Sequence, residues 1–125
     1  MKKAFRTEQA PHPVGPYSQI VQIGELLFLA GQVPLTPSGT FNDGDIATQT
    51  KQVLNNIKAV LEAAGCTMDH IVKTTVFLKD LGDFETMNKV YGEFFHEPYP
   101  VRSTVEVSKL PRGARIEVDA IASRA

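Results

Sequence analysis

The stretch IATQTKQVLNNIKAVLEAAG, residues 46–65, constrains the rest of the chain more than any other. Ile46, Val53, Ile57, Val60, Leu61 and Ala64 recur at helical spacing and gather into one apolar stripe. Asp45 ahead of it is a good N-cap, and Gly65 behind it is a C′ residue free to take the left-handed conformation. A stripe of that length needs a broad apolar partner, and the flanking segments offer strands. Tyr17 to Ile23 and Leu26 to Gln32 read as a hairpin turning at Gly24-Glu25. Ile71 to Leu78, IVKTTVFL, alternates and is rich in β-branched residues. Asp83 then caps a second helix, FETMNKVYGEFF, whose Phe84, Met87, Tyr91, Phe94 and Phe95 form an aromatic stripe suited to a core. Pro98 and Pro100 end it, and two last strands follow at Arg102–Val107 and Arg115–Ala122. Residues 1–16 read as an irregular lead-in, and VPLTPSGTFNDGD as a loop excursion. The order ββαβαββ predicts an α+β fold, a mixed and mostly antiparallel sheet with two helices on one face.

A length of 125 residues argues for one domain, 1–125, large enough to bury roughly two-thirds of the unfolded chain's surface without metal or disulfide. Thirteen basic and fourteen acidic residues leave a net charge of −1, and no basic stripe is interleaved with aromatics. That composition weighs against a dedicated nucleic-acid binder. No apolar run reaches the ~20 residues of a membrane helix, and no apolar stretch follows Lys2-Lys3 as in a signal peptide, so a cytoplasmic protein is expected. The single cysteine, Cys66, reads as a buried inert thiol. His12, His70 and His96 lack metal-ligand spacing, and neither a metal nor a cofactor is expected.

Two charges inside strands are harder to place. In IEVDAIA, Ile116, Val118, Ala120 and Ala122 share one face, so Glu117 and Asp119 point to the other. By the same alternation Val105 and Val107 would face the core, and Arg102, Thr104 and Glu106 would face away. If the last two strands pair as a hairpin, Thr104 meets Glu117, Arg102 meets Asp119, and Arg102 and Glu117 become diagonal neighbours. Such a pair could hold a small carboxylate and move a proton beside it. It could equally be a surface ion pair worth under ~1 kcal/mol.

The segment PVRSTVEVSKLPRGARIEVDAIA closely resembles the C-terminal signature of the Rid family, also called YjgF-like proteins. GPYSQ at 15–19, AGQVPLTPSG at 30–39, QTKQVLNNIKAVLEAAG at 49–65, VKTTVFL at 72–78 and MNKVYGEFF at 87–95 look like further family blocks in the same order. The resemblance implies a chorismate-mutase-like fold, a homotrimer whose sheets form a central barrel, and active sites between subunits. It implies hydrolytic deamination of small enamine and imine acids, such as 2-aminoacrylate and 2-iminobutanoate, to 2-oxo acids and ammonia. Arg102 matches the arginine that binds the substrate carboxylate, and Glu117 the glutamate that handles water and protons. Tyr17, Gly31 and Asn88 match residues of the cleft. Read from the residues alone, Tyr17 anchors the lead-in, Gly31 relieves a packing contact and Asn88 is a solvated helix position. Thr104 stands where many members have cysteine and keeps only backbone groups for the ligand, and Ala30 stands where many have serine. A ligand-sensing module for small carboxylates, and a ribonuclease or translation inhibitor, are the competing functions.

Overall fold

A computed structural model describes residues 1–125. Its strands are β1 (Lys3–Phe5), β2 (Ile20–Ile23), β3 (Leu26–Gln32), β4 (Ile71–Leu78), β5 (Val101–Glu106) and β6 (Ile116–Ser123). Its helices are α1 (Ile46–Ala63) and α2 (Phe84–Gly92). The order ββαβαββ therefore stands, with the short β1 added where the lead-in was expected to be irregular. All six strands join one sheet in the order β1-β2-β3-β6-β4-β5. Only β4 and β5 run parallel, and α2 is their crossover. The last strand slots antiparallel between β3 and β4. This is the α+β architecture of two helices on one face of a mixed sheet.

The hairpin expected of the last two strands does not form. β5 lies at the sheet edge against β4, and β4 separates it from β6. The connection 107–115 is longer than the roughly two to five residues of a hairpin loop. The helical crossover then fixes β5 beside β4.

The core forms where α1 meets the sheet. Val53, Leu54, Ile57, Val60 and Leu61 of α1 are fully buried, as are Leu27, Val76, Leu78, Ile116, Val118 and Ala122 of the strands and Met87 of α2. The Asp45 side chain accepts from the Thr48 amide at 2.9 Å and caps α1. At the other end the Cys66 amide reaches Leu61 O and the Gly65 amide reaches Glu62 O, with Gly65 at φ 74, a Schellman closure that buries Cys66. Asp83 does not cap α2. Asp80 caps the preceding turn by accepting from the Gly82 amide, and the Asp83 carboxylate pairs with Arg115 at 3.3 Å instead. No helix is long and apolar enough to cross a membrane.

The sheet face turned away from the helices carries Ile23, Leu26, Phe28, Phe77, Val101, Val105 and Ile121 among Lys73, Thr75, Glu117 and Asp119. Leu27 and Leu29 lie on the core side.

Three buried carboxamides hold the loops. Gln19 Nε2 donates to Thr7 O and Pro11 O, and its Oε1 accepts from the Thr7 amide. Gln49 bridges Gly44 O and the Arg115 amide. Asn56 Nδ2 donates to Leu35 O at 2.8 Å and Val33 O at 3.3 Å, tying the excursion after β3 to α1. Asn56→Ala is expected to cost about 1–3 kcal/mol, because it leaves carbonyls unpaired beside a buried site. Urea unfolding would show this as a lowered midpoint; an unchanged midpoint would mean that water satisfies those carbonyls.

Candidate functional site

Glu117 sits on β6 opposite Phe77, on the open face of the sheet. Beside it the β3–β6 register slips between Leu29 and Gln32, so Ala30 and Gly31 form a bulge opposite Asp119. A Cβ on Gly31 would strike the Glu117 carboxylate itself, and would stand only 3.0 Å from its Cδ and 3.3 Å from its Cγ. Only glycine leaves the carboxylate room there. The packing reading of Gly31 is correct within the chain, and its contact is with Glu117.

Bulge and carboxylate line a cavity of about 440 Å³ together with His12, Tyr17, Ala30 and Arg112. Its far walls are the lead-in, fastened by Gln19, and the excursion, fastened by Asn56. Burial raises the Glu117 pKa above the ordinary carboxyl value, and the nearby Asp119 charge adds to the rise. The group is thus biased toward holding a proton that a leaving nitrogen could take.

Arg102 lies elsewhere. It pairs in register with Thr74, whose side chain is fully buried among the helices, so Arg102 points to the helix side. The faces read from alternation are therefore reversed for β5. Val101 and Val105 lie on the open face, 66% and 42% exposed, and Arg102, Thr104 and Glu106 lie on the helix side. At the sheet edge the helix layer is incomplete, so a charged side chain on that side still reaches water. There the Arg102 guanidinium stacks over Tyr91 at 4.7 Å and Phe84 at 5.5 Å. A cavity of about 450 Å³ opens beside it, lined by Asn88, Tyr91, Gly92, Tyr99 and Pro100. The Tyr91 hydroxyl bonds Thr74 Oγ1 at 2.7 Å. Burial raises the Tyr91 pKa, and Thr74 and Arg102 partly offset that rise.

The structure thus gathers the sequence candidates into two groups. Tyr17 and Gly31 join Glu117 in one cavity, and Asn88 joins Arg102 in the other. Thr104 lines neither. Arg102 and Glu117 are not diagonal neighbours: β4 lies between them, their rows are those of Thr74 and Phe77, and they face opposite sides. Two strand spacings and three residues of rise put their backbones on the order of 14 Å apart. Tyr91, taken from its spacing as core alone, also walls the Arg102 cavity. His12 and Arg112 were passed over because neither belongs to a recognisable spacing; their only signal was proximity in sequence to GPYSQ and to Glu117.

Comparison with known proteins agrees along nearly the whole chain. The Endoribonuclease L-PSP family model matches residues 7–124. A RutC family protein of Pyrococcus horikoshii is 54% identical over 98% of both chains. The 2-iminobutanoate/2-iminopropanoate deaminase of Escherichia coli K12 is 47% identical over 99% of both. The crystal structure of E. coli TdcF with bound serine superposes with a TM-score of 0.93 at 42% identity, covering 98% of this chain and 99% of that one.

The displaced pKa of Glu117 has a measurable consequence for stability. Between the ordinary value near 4.5 and its raised native value, the folded chain keeps a proton that the unfolded chain has released. That contribution to stability is full below the unfolded value and is lost as pH rises through the native one. Glu117→Gln is therefore expected to melt higher than the wild type near neutral pH and to match it at about pH 3.5. Equal melting at both pH values would mean that the ionised carboxylate is not disfavoured by its burial.

Proposed function

The chain belongs to the Rid family, and from that membership we propose that it hydrolyses small 2-imino and 2-enamino acids, such as 2-iminobutanoate and 2-aminoacrylate, to 2-oxo acids and ammonia. The observation that carries this reading is the separation of the two charges. Arg102 is a stacked guanidinium with no carboxylate partner in its own chain, and Glu117 is a carboxyl in a separate cavity whose burial raises its pKa. Neither cavity alone brings Arg102 and Glu117 together.

A second copy of the chain supplies what each cavity lacks. The open face presents half a dozen exposed or half-exposed apolar side chains, an arrangement that favours association. In a homotrimer built on those faces, the edge strand β5 of one copy would bring Arg102, with Asn88 and Thr104, to the cavity of Glu117, Tyr17 and Gly31 on the next. The E. coli relative named as a 2-iminobutanoate/2-iminopropanoate deaminase and the serine held by TdcF support a small α-amino-acid-derived ligand.

The chemistry then needs little. Arg102 grips the substrate carboxylate through two parallel hydrogen bonds, which fixes the C=N carbon in place. For an enamine, a proton first goes to the β-carbon and one leaves the nitrogen to water, which gives the imine. Glu117 donates its proton to the imine nitrogen, and its carboxylate then takes one from the attacking water. Water adds to carbon, the carbinolamine forms, and the proton returned by Glu117 lets ammonia depart as C=O closes. An imine hydrolyses readily in water, so the reaction asks for neither metal nor covalent nucleophile. We assign this activity to residues 1–125 as one domain, working in the cytoplasm without a cofactor.

The test uses a pyridoxal-phosphate dehydratase to generate the substrate and follows 2-oxo acid formation. Wild-type protein is expected to accelerate it, and Arg102→Ala or Glu117→Ala to abolish the acceleration. Co-refolding the two inactive variants is expected to restore part of the activity, because some mixed assemblies hold an intact Arg102 facing an intact Glu117. No recovery on mixing would overturn the shared site. No acceleration by folded wild type would favour a carboxylate-sensing module.

A further inference from the structure

The turn before β6 holds Arg112 at φ 61, ψ 16, the only positive-φ residue of the chain that is not glycine. A side chain in that conformation costs free energy that glycine would not incur. The neighbourhood enforces it: Pro111 precedes, Gly113 follows at φ 71, and the Gly113 and Ala114 amides close onto Leu110 O and Pro111 O. Strain of this kind persists where the surrounding structure over-determines it, often beside a binding site. Here it turns the Arg112 side chain to the cavity that holds Glu117.

The chain contains five arginines, and they divide sharply. Arg6 bonds His12, Arg115 pairs with Asp83, and Arg124 bonds Gln22 and Ala64 O. Arg102 and Arg112 are held by no carboxylate, carbonyl or imidazole, and they line the Asn88 and Glu117 cavities respectively. The guanidinium carbon of Arg112 lies 5.8 Å over the Phe41 ring, on the excursion that makes the facing wall. That stacking fixes its direction and leaves its N–H donors free. The other basic group at the cavity, His12, has both ring nitrogens engaged, Nδ1 by Arg6 at 2.5 Å and Nε2 by Glu8 at 2.6 Å. Arg112 is thus the one cation free to receive an anion there. The cavity is also far roomier than a four-carbon imine acid, and Val14, Val33 and Leu35 wall the extra space with apolar surface.

We propose that Arg112 is a specificity-determining residue: it receives a second anionic group at the end of the substrate side chain, so that imines of acidic amino acids are accepted alongside neutral ones. The inference rests on the imine-hydrolase reading and extends it to a substrate class. Arg102 takes the α-carboxylate, Glu117 the proton chemistry, and Arg112 the distal carboxylate, offsetting its repulsion from Glu117 and Asp119. A guanidinium suits this because it grips a carboxylate through two parallel N–H bonds.

The test compares imines generated by amino-acid oxidases from aspartate and from 2-aminobutyrate, each corrected for spontaneous hydrolysis. The readout is the ratio of kcat/KM for the acidic imine to that for the neutral one. Arg112→Gly relieves the positive-φ strain, so its melting temperature is expected to equal or exceed that of the wild type. Its kcat/KM ratio is nonetheless expected to fall about tenfold or more, with Arg112→Lys recovering part of it. An equal loss on both imines, an unchanged ratio, or a wild type that hydrolyses only the neutral imine would overturn the role of Arg112 and leave the hydrolase reading standing. Failure of the wild type on both imines would overturn the two together.

Discussion

Loops wall the Glu117 cavity, and loops near a core must find partners for backbone groups that no strand or helix satisfies. Gln19, Gln49 and Asn56 supply those partners from buried positions, each exposing no more than 3% of its surface. Gln19 reaches into the lead-in, Asn56 into the excursion after β3, and Gln49 into the turns before α1 and before β6. A carboxamide both donates and accepts without carrying charge, so it can be buried at modest cost once its bonds are made. Through these three residues the position of Tyr17, His12 and the Arg112 turn becomes a consequence of how α1 and β2 pack.

The bulge in β3 is the second fixed point. By inserting an extra residue opposite β6 it brings the backbone of Gly31 against Glu117, and the missing Cβ is what lets the carboxylate lie there. Burial of the carboxylate lifts its pKa, and the nearby Asp119 charge adds to the rise. Arg102 is prepared in a different way: two aromatic faces stabilise its charge without neutralising it, so its N–H donors stay available.

Most of the fold was legible because its elements carry local signals. Asp45 and Gly65 bracket α1, the β-branched run of β4 can hardly be anything else, and the family blocks follow in order. What the sequence could not convey was which strands pair. Adjacent strands invite a hairpin, and alternation within β5 does not say which face is covered, because Val101 and Val105 look like core residues whether they meet helices or another copy of the sheet. Glu117, Gly31 and Tyr17 line one cavity, and Arg102 and Asn88 line another. The geometry linking the two groups was misjudged for that reason. The three carboxamides and Arg112 escaped notice because no spacing marks a side chain whose partners are loop carbonyls or an empty cavity.

The separation of Arg102 from Glu117 suits the chemistry that the proposed function would ask of each. Placed side by side in one chain, a guanidinium and a carboxylate would form an ion pair; the pair would lower the carboxyl pKa and occupy the donors meant for a substrate. With β4 between them and opposite faces of the sheet to occupy, neither can neutralise the other during folding. Arg102 keeps its donors, and Glu117 keeps its affinity for a proton. In the proposed assembly, groups that meet only across an interface would hold a substrate between them, whereas charges that meet within the chain would already be satisfied. The apolar open face, with its exposed Phe28, Val101 and Val105, is the surface on which the proposed assembly would bury its area.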